Sequence, residues 1–439
     1  MSRAGCPGAK SPCRHLPPRA CWIRDATAAR RAALAILRAV ARGVPFAEAR
    51  DRSVATLEDR DRRLAHELAA GVLRQRAELD RVLDLSRADP RLHDVLRLGA
   101  YQLRWLTRVP AHAAVSTSVE LARETAGEGV TGYVNQALRR LQRPSENPAA
   151  AAPTHPAWLT RRWTERFGAE GAARLVQWND APPPLTLQAA RWDLPTLAAR
   201  LAESGLDVEP APRNAGIRVQ GLPSEFPGFA EGAFIVQDAA ARLVCRFAGV
   251  PRGARCYDAC AAPGGKALGL ESLGARVVAG EPRRDRLVRL SENVRRAGVA
   301  IQVLCADLLS APFANDSWDA VLLDAPCTAT GTMARHPDAR WRITPEAIGR
   351  AAARQRHLLG AAAALVRPGG ILVYATCSLE PEENEAIVED FLTSQTEFRR
   401  DPVADAVPSA LVTPAGDLQT LPQRDGMDGA YAARLSRAA

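Results

Sequence analysis

Two cysteines fifty residues apart stand in matching surroundings and offer the most specific chemistry in the chain. Cys327 closes the run Val321-Leu322-Leu323-Asp324-Ala325-Pro326-Cys327, and Cys377 lies in Leu372-Val373-Tyr374-Ala375-Thr376-Cys377-Ser378. Each follows a short apolar stretch of the kind that forms a buried parallel strand. Each therefore falls near a strand's C-terminal end, where open α/β sheets build their sites. A cysteine inside an apolar run is ordinarily an inert small hydrophobe, which fits Cys245, Cys256 and Cys305. A thiol at a strand-to-loop junction is instead open to activation as a nucleophile. Asp324, just upstream of Cys327, is placed to hydrogen-bond a bound ring, and Pro326 fixes the backbone before the thiol.

A glycine turn lies upstream, Asp258-Ala259-Cys260-Ala261-Ala262-Pro263-Gly264-Gly265-Lys266. It ends one predicted strand and opens a helix, the place for a nucleotide-like ligand. It is neither Gly-x-Gly-x-x-Gly nor a Walker loop, so the fitting ligand is an adenosyl group without phosphates. Glu281 ends the next strand 23 residues after Asp258, where an acid can accept both ribose hydroxyls. Asp307 follows the third strand, within reach of an adenine. The plainer alternative is that these acids only cap the following helices. The candidate cofactor site thus comprises Cys260, Ala261, Ala262, Pro263, Gly264, Gly265, Lys266, Glu281, Asp307 and Asp324. Lys266 has a further mark: Lys10 and Lys266 are the only lysines, against 56 arginines. A compact ammonium kept at this one place points to a chemical role.

The 439 residues are 47% hydrophobic and 24% charged, an ordinary globular composition with room for two or three domains. No apolar run has membrane-spanning length, and the first residues have no apolar core of a secretory signal, so a cytoplasmic protein is expected. The nine cysteines then read as thiols rather than a disulfide framework. Cys6, Cys13, His15 and Cys21 match no zinc spacing, and no metal is expected. Charge is uneven. Residues 1–24 carry five basic and no acidic residues, residues 25–143 carry 21 Arg against 15 Asp/Glu, and the remainder carries 32 basic and 34 acidic residues. The whole excess of +9 lies in the N-terminal third, which suits a nucleic-acid substrate.

These sites need elements to hold them. Residues 1–24 read as a disordered basic tail and residues 25–145 as a helical bundle, with apolar stripes such as Ala33, Leu34, Leu37 and Val40 opposed by Arg. Pro144 to Pro153 reads as a linker. Residues 154–231 form a small α+β subdomain: a helix from His155 through Val176, a strand at Leu185–Ala189, a helix at Leu194–Glu203 and a strand at Ile217–Val219. Residues 232–439 alternate strand and helix. The strands are Arg255–Ala259, Ala275–Gly280, Ile301–Leu304, Ala320–Asp324 and Gly370–Ala375. That alternation predicts a doubly wound, Rossmann-like parallel sheet.

The motifs Cys260-Ala-Ala-Pro-Gly-Gly-Lys266, Asp324-Ala-Pro-Cys327 and Ala375-Thr-Cys-Ser378, with Asp425-Gly-Met-Asp-Gly429 downstream, resemble the NOL1/NOP2/Sun family of RNA cytosine-5 methyltransferases. The N-terminal third resembles the RNA-binding fold of the antitermination factor NusB. The matching stretches are Arg60–Arg62, Gly71–Arg74, Leu98–Leu103 and Val134–Arg140. Together the resemblances span roughly residues 27–437. Three departures stand out: Leu187-Gln188-Ala189-Ala190 replaces the family's Leu-Arg-Val-Asn, Glu281 replaces a common Asp, and Ala430-Tyr431 replaces two Phe at a stacking surface.

The resemblance implies S-adenosyl-L-methionine as cofactor and small-subunit (16S) ribosomal RNA, before assembly is complete, as substrate; another RNA such as tRNA is the alternative. It implies Cys377 as the nucleophile that adds to cytosine C6, Cys327 as the thiol needed for release, Asp324 on the cytosine N3/N4 edge, and Lys266 supporting that polar cluster. A DNA or protein methyltransferase on the same scaffold would instead need Cys327 above Cys377, and a non-catalytic RNA-binding factor would need neither thiol. A monomer without an obligate protein partner is expected.

Overall fold

The computed structural model describes residues 18–142, 152–403 and 405–439. The chain divides into two compact units, residues 1–157 and 158–439. Among the described residues, the first is all-helical: Pro18–Ala41, Phe46–Val54, Asp59–Arg74, Arg76–Leu83, His93–Trp105, Ala111–Ala126 and Thr131–Arg140. Ala29, Ala33, Ile36, Leu37 and Val40 recur at helical spacing and are buried, which is why the first helix packs one face inward. Two polar ties sit inside this core: the buried Arg30 guanidinium donates to Gln102 at 2.8 Å, and the Tyr101 hydroxyl donates to Glu67 at 2.6 Å. The first helix begins at Pro18, within residues 1–24 for which a disordered tail is expected; residues 1–17 lie outside what the structure describes. Of the cluster Cys6, Cys13, His15 and Cys21, only Cys21 falls on a described element, the first helix, and most of the Pro144–Pro153 linker lies outside the described residues.

The second unit contains a small antiparallel sheet of β1 (Leu185–Ala189), β2 (Val208–Pro210), β3 (Ile217–Val219) and β4 (Phe234–Val236), in the order β2-β3-β1-β4. The helix Leu194–Glu203, capped by Asp193 accepting from the Thr196 amide at 2.7 Å, packs Leu197 and Leu201 against Leu187, Ile217 and Phe234. The expected small subdomain ended at residue 231, but β4 pairs with β1 and belongs to the same sheet. Its three-residue length gave no periodic signal. Gln188, one of the departures from the family pattern, is buried and donates to the Ala215 carbonyl at 2.8 Å. Here it holds sheet to loop.

The large sheet comprises β5 (Arg255–Asp258), β6 (Arg276–Gly280), β7 (Gln302–Leu304), β8 (Trp318–Asp324), β9 (Val366–Thr376), β10 (Phe398–Arg400), β11 (Leu418–Thr420) and β12 (Ala430–Arg437). The order is β10-β12-β9-β8-β5-β6-β7, with β11 also paired to β12. β9, β8, β5, β6 and β7 are parallel, as the strand–helix alternation requires. The expectation of a wholly parallel sheet is corrected by β12, which runs antiparallel between β9 and β10. Its Ala-Tyr-Ala-Ala-Arg-Leu sequence lacks the β-branched residues that mark a strand.

Side-chain alternation sorts the core. Cys256, Ala320, Leu322, Ile371 and Val373 face one side, packed by the helices Ala239–Ala248, Gly265–Ser272 and Arg284–Ala297. Tyr257, Val321, Leu323, Leu372 and Tyr374 face the other, covered by Pro345–Leu365 and Glu385–Ser394. The chain runs outward from β5 through β6 to β7, then returns to β8 on the opposite side of β5. The switch point therefore lies between β5 and β8, whose last residues are Asp258 and Asp324. No described helix is long and apolar enough to cross a membrane.

Gly232, in the turn before β4, lies close against the helix Arg284–Ala297. It has φ +71°, and a Cβ there would come within 1.7 Å of the Arg296 carbonyl oxygen. Gly232→Ala combines a disfavoured backbone angle with a backbone clash, so it should destabilise this unit by about 2 kcal/mol or more. Thermal unfolding of the full chain checks this; an unchanged midpoint would mean that this close approach is not needed for stability.

Candidate active site

The register of β8 on β9 pairs Asp324 with Ala375. Cys327 and Cys377 follow those residues within one turn of loop, and the two sulfurs meet at 3.3 Å. The loops lock together around them. The Gly331 amide donates to the Cys377 carbonyl at 2.9 Å, the Gly429 amide donates to the Gly331 carbonyl at 2.8 Å, and the Leu379 amide donates to the Thr330 hydroxyl at 2.7 Å. At this distance either sulfur can donate to the other, so the two thiols titrate as a coupled pair.

The surroundings decide where the charge goes. The hydrogen bond from Cys327 holds the Cys377 thiol below the ordinary thiol range; burial and Asp324 oppose this, while Lys266 and the Thr332 hydroxyl favour it. Cys327 is pushed well above that range by the same hydrogen bond, by burial and by the Glu383 carboxylate. Of the two, Cys377 is therefore the more acidic thiol, and Cys327 the one that keeps its proton more strongly. Of the remaining described cysteines, burial pushes Cys245 and Cys260 up to about 12 and drives Cys256 upward as well, which keeps these thiols protonated.

The Lys266 ammonium donates to Asp324 at 2.7 Å. Burial opposes the lysine's charge, but Asp324 more than offsets it and the lysine is raised above its ordinary value. Beneath this pair lies Asp258, which is fully buried. Neither of its oxygens has a well-formed hydrogen bond, although the amides of Cys260 and Ala267 approach it. Burial, then repulsion by Asp324, pushes Asp258 up to about 7.

The glycine turn reaches its helix through Gly264, at φ +105°. Its carbonyls are held by the helix Arg284–Ala297: Arg286 donates to Ala262 at 3.1 Å and Asn293 to Pro263 at 2.9 Å. Glu281 is buried; one oxygen accepts from the Arg283 amide at 3.0 Å, and the other lies 3.5 Å from Arg286. Asp307 accepts from the Leu309 amide at 3.1 Å, so it does cap the following turn. Cys260, Lys266, Glu281 and Asp324 gather around Asp258 and the switch point, whereas Asp307 lies farther along the sheet beyond β7.

Two parts of the site escaped the sequence reading. Glu383 is buried between the cysteine loops and accepts from the Thr328 amide at 2.9 Å, from Gln355 at 3.0 Å and from Ser378 at 2.5 Å. It belongs to Glu380-Pro381-Glu382-Glu383, an acidic run of the kind that is usually a solvated face. Arg335 bridges Asp428 at 2.6 Å and Asp238 at 2.8 Å, tying the Asp425–Gly429 motif to the helix that follows β4. At Ala430-Tyr431, where the family pattern has two Phe, Tyr431 is buried in β12 and donates to Asp417 at 2.6 Å.

Asp258 yields a pH test. Its proton, bound more tightly in the folded chain, stabilises the fold below the ordinary carboxyl value of 3.8, and that stabilisation is lost as pH rises toward about 7. Asp258→Asn abolishes this titration. Relative to the parent chain the variant should gain stability across that window, by up to roughly 4 kcal/mol. Denaturant unfolding at a series of pH values measures it, and parallel curves would count against a buried, protonated Asp258.

Comparisons with known proteins agree with this geometry. A family model described as 16S rRNA methyltransferase RsmB/F matches residues 251–436. The NusB family model matches residues 27–143, and a Methyltr_RsmF/B-like ferredoxin-like domain matches residues 155–222. Ribosomal RNA small subunit methyltransferase B of Vibrio cholerae is 34% identical over 92% of this chain and 96% of its own length. Probable ribosomal RNA small subunit methyltransferase B of Bacillus subtilis is 30% identical over 85% of this chain and 90% of its own. The crystal structure of PH0851 superposes with a TM-score of 0.79 at 24% identity, covering 94% of this chain and 99% of that one. NSun6 from Pyrococcus horikoshii, solved with SFG, gives 0.58 at 20% identity over 65% and 98%. At these identities the two structures show the shared fold.

Proposed function

The chain belongs to the RsmB/F family of 16S rRNA methyltransferases, and from that premise we propose that it methylates C5 of a cytosine in small-subunit ribosomal RNA through a covalent bond from Cys377 to C6. The observation that carries this reading is the pair of thiols 3.3 Å apart, with Cys377 held below the ordinary thiol range by its hydrogen bond to Cys327 and the Lys266–Asp324 pair close by.

S-adenosyl-L-methionine is the cofactor that fits. The glycine turn offers a close backbone approach without a phosphate cradle, Glu281 retains an oxygen with only a long contact, and Asp258 is a buried acid without a well-formed partner. The residues Cys260 to Lys266, Glu281, Asp307 and Asp324 would hold it, and when bound it supplies an electrophilic methyl group.

The protein's own part follows from the site. C5 of cytosine is a poor nucleophile. Addition of the Cys377 thiolate to C6 makes C5 electron-rich and divides one difficult step into easier ones. Asp324 accepts from the N4 amino group on the N3/N4 edge of the ring, and Lys266 holds that carboxylate in place. After C5 has gained its methyl group, a base removes the C5 proton, the C5=C6 double bond re-forms, the C6–S bond breaks and its pair of electrons returns to sulfur. Cys327, within 3.3 Å of Cys377, is placed to donate its S–H to the departing thiolate. The base must leave any stack to reach these groups, at a cost of a few kcal/mol. Phosphate contacts from the basic N-terminal unit offset part of that cost, which makes protein-free small-subunit RNA the fitting substrate and a monomer sufficient.

Transfer of labelled methyl groups to protein-free small-subunit ribosomal RNA tests the reading. The parent chain should yield 5-methylcytosine and Cys377→Ala no detectable label. Cys327→Ala should accumulate a covalent protein–RNA adduct that survives denaturation. An adduct formed by Cys377→Ala instead would assign attack to the other thiol.

A further inference from the structure

Thr328 follows Cys327, and Ser378 follows Cys377. Both give their hydroxyl protons to one carboxylate oxygen of Glu383, and the Thr328 amide donates to the other at 2.9 Å. Gln355 donates through one amide group to that second oxygen and to the Pro326 carbonyl, both at 3.0 Å. The Tyr374 hydroxyl donates to the Glu383 backbone carbonyl at 2.6 Å. A single buried carboxylate thus spans both cysteine loops at the positions next to the sulfurs.

We propose that Glu383 is a positioning residue that decides which of the two thiols carries the negative charge. This rests on the reading of Cys377 as nucleophile. Burial raises the Glu383 carboxyl above its ordinary value, while four donors, none of them a cation, oppose that shift; in its ionised form the carboxylate's charge is stabilised by hydrogen bonds alone and still acts on Cys327. Cys327 feels that charge, and Cys377 feels Lys266. Together these two opposite charges favour the proton on Cys327. The other ionisable groups facing the pair are Asp324, which opposes a thiolate at Cys377, and Tyr374; Arg356, on the helix Pro345–Leu365, acts on Tyr374 and is paired with Asp390 at 2.7 Å. The same hydrogen bonds hold the loops so that the sulfurs stay within reach of each other.

Alkylation of the full chain with limiting iodoacetamide, followed by mass mapping of each cysteine across a pH series, reads this without RNA or methyl transfer. The parent chain should be labelled at Cys377 in preference to Cys327. Glu383→Gln keeps shape and hydrogen-bonding capacity but removes charge. It should lower the Cys377-to-Cys327 labelling ratio on the order of tenfold, the change that one pKa unit makes, and raise the pH midpoint for Cys377. Glu383→Asp shortens the side chain but keeps the charge, and should retain the Cys377 preference. An unchanged ratio in Glu383→Gln, or a loss of preference in Glu383→Asp equal to that in Glu383→Gln, would overturn the proposal and leave the nucleophile assignment standing. Preferential labelling of Cys327 in the parent chain would overturn both.

Discussion

Two sulfurs held 3.3 Å apart are the constraint on which the site depends. At that distance each lies within hydrogen-bond reach of the other, so the acidity of one is set in part by the other. A lone buried cysteine would hold its proton, as Cys245 and Cys256 do. The pair escapes that outcome because one member provides the hydrogen bond that stabilises the other's charge. Lys266 and Glu383 then break the symmetry, and the nucleophile is set by placement rather than by residue type.

The fold provides that placement with few adjustable parts. β8 and β9 are adjacent parallel strands, buried on both faces, and their register fixes where each loop departs. Leu322 and Leu323 on β8 and Leu372 and Val373 on β9 hold the register, because a slip of one residue would turn each of them to the wrong face. The switch point beside β8 brings Asp258, Lys266 and Asp324 against the thiols from a different stretch of chain. Two carboxylates and one ammonium in so small a volume cannot all be charged at leisure. Lys266 is hydrogen-bonded to Asp324, and Asp258, buried and repelled by Asp324, gives up its own charge below about 7.

Much of this was legible in the sequence because it was written in local patterns. The five parallel strands stand out as short apolar runs, and the glycine turn and both cysteines follow those runs directly. The helical N-terminal unit shows its stripe at Ala33, Leu37 and Val40. Other parts rest on contacts between residues far apart in the chain. β12 pairs with β9 through an alanine-rich segment that has no strand signal of its own. β4 is three residues long and declares itself only by pairing with β1. Glu383 looks like part of a solvated acidic run until the fold brings Thr328 and Gln355 to it. Tyr431 resembles a stacking residue in sequence but is turned into the core by the antiparallel strand that carries it. Cofactor-site acids were visible by position, yet their capping bonds at Glu281 and Asp307 are facts of local backbone geometry.

The central claim is that the sulfur of Cys377, not that of Cys327, bonds to the base. The most direct measurement uses small-subunit RNA in which 5-fluorocytidine replaces cytidine. A fluorine at C5 cannot leave as a proton does, so the adduct stalls with the C6–S bond intact. After proteolysis and nuclease digestion, mass spectrometry of the nucleotide-bearing peptide identifies the attached residue. The account predicts the peptide containing Thr376-Cys377-Ser378 as the modified one. Modification at Pro326-Cys327-Thr328 would contradict it.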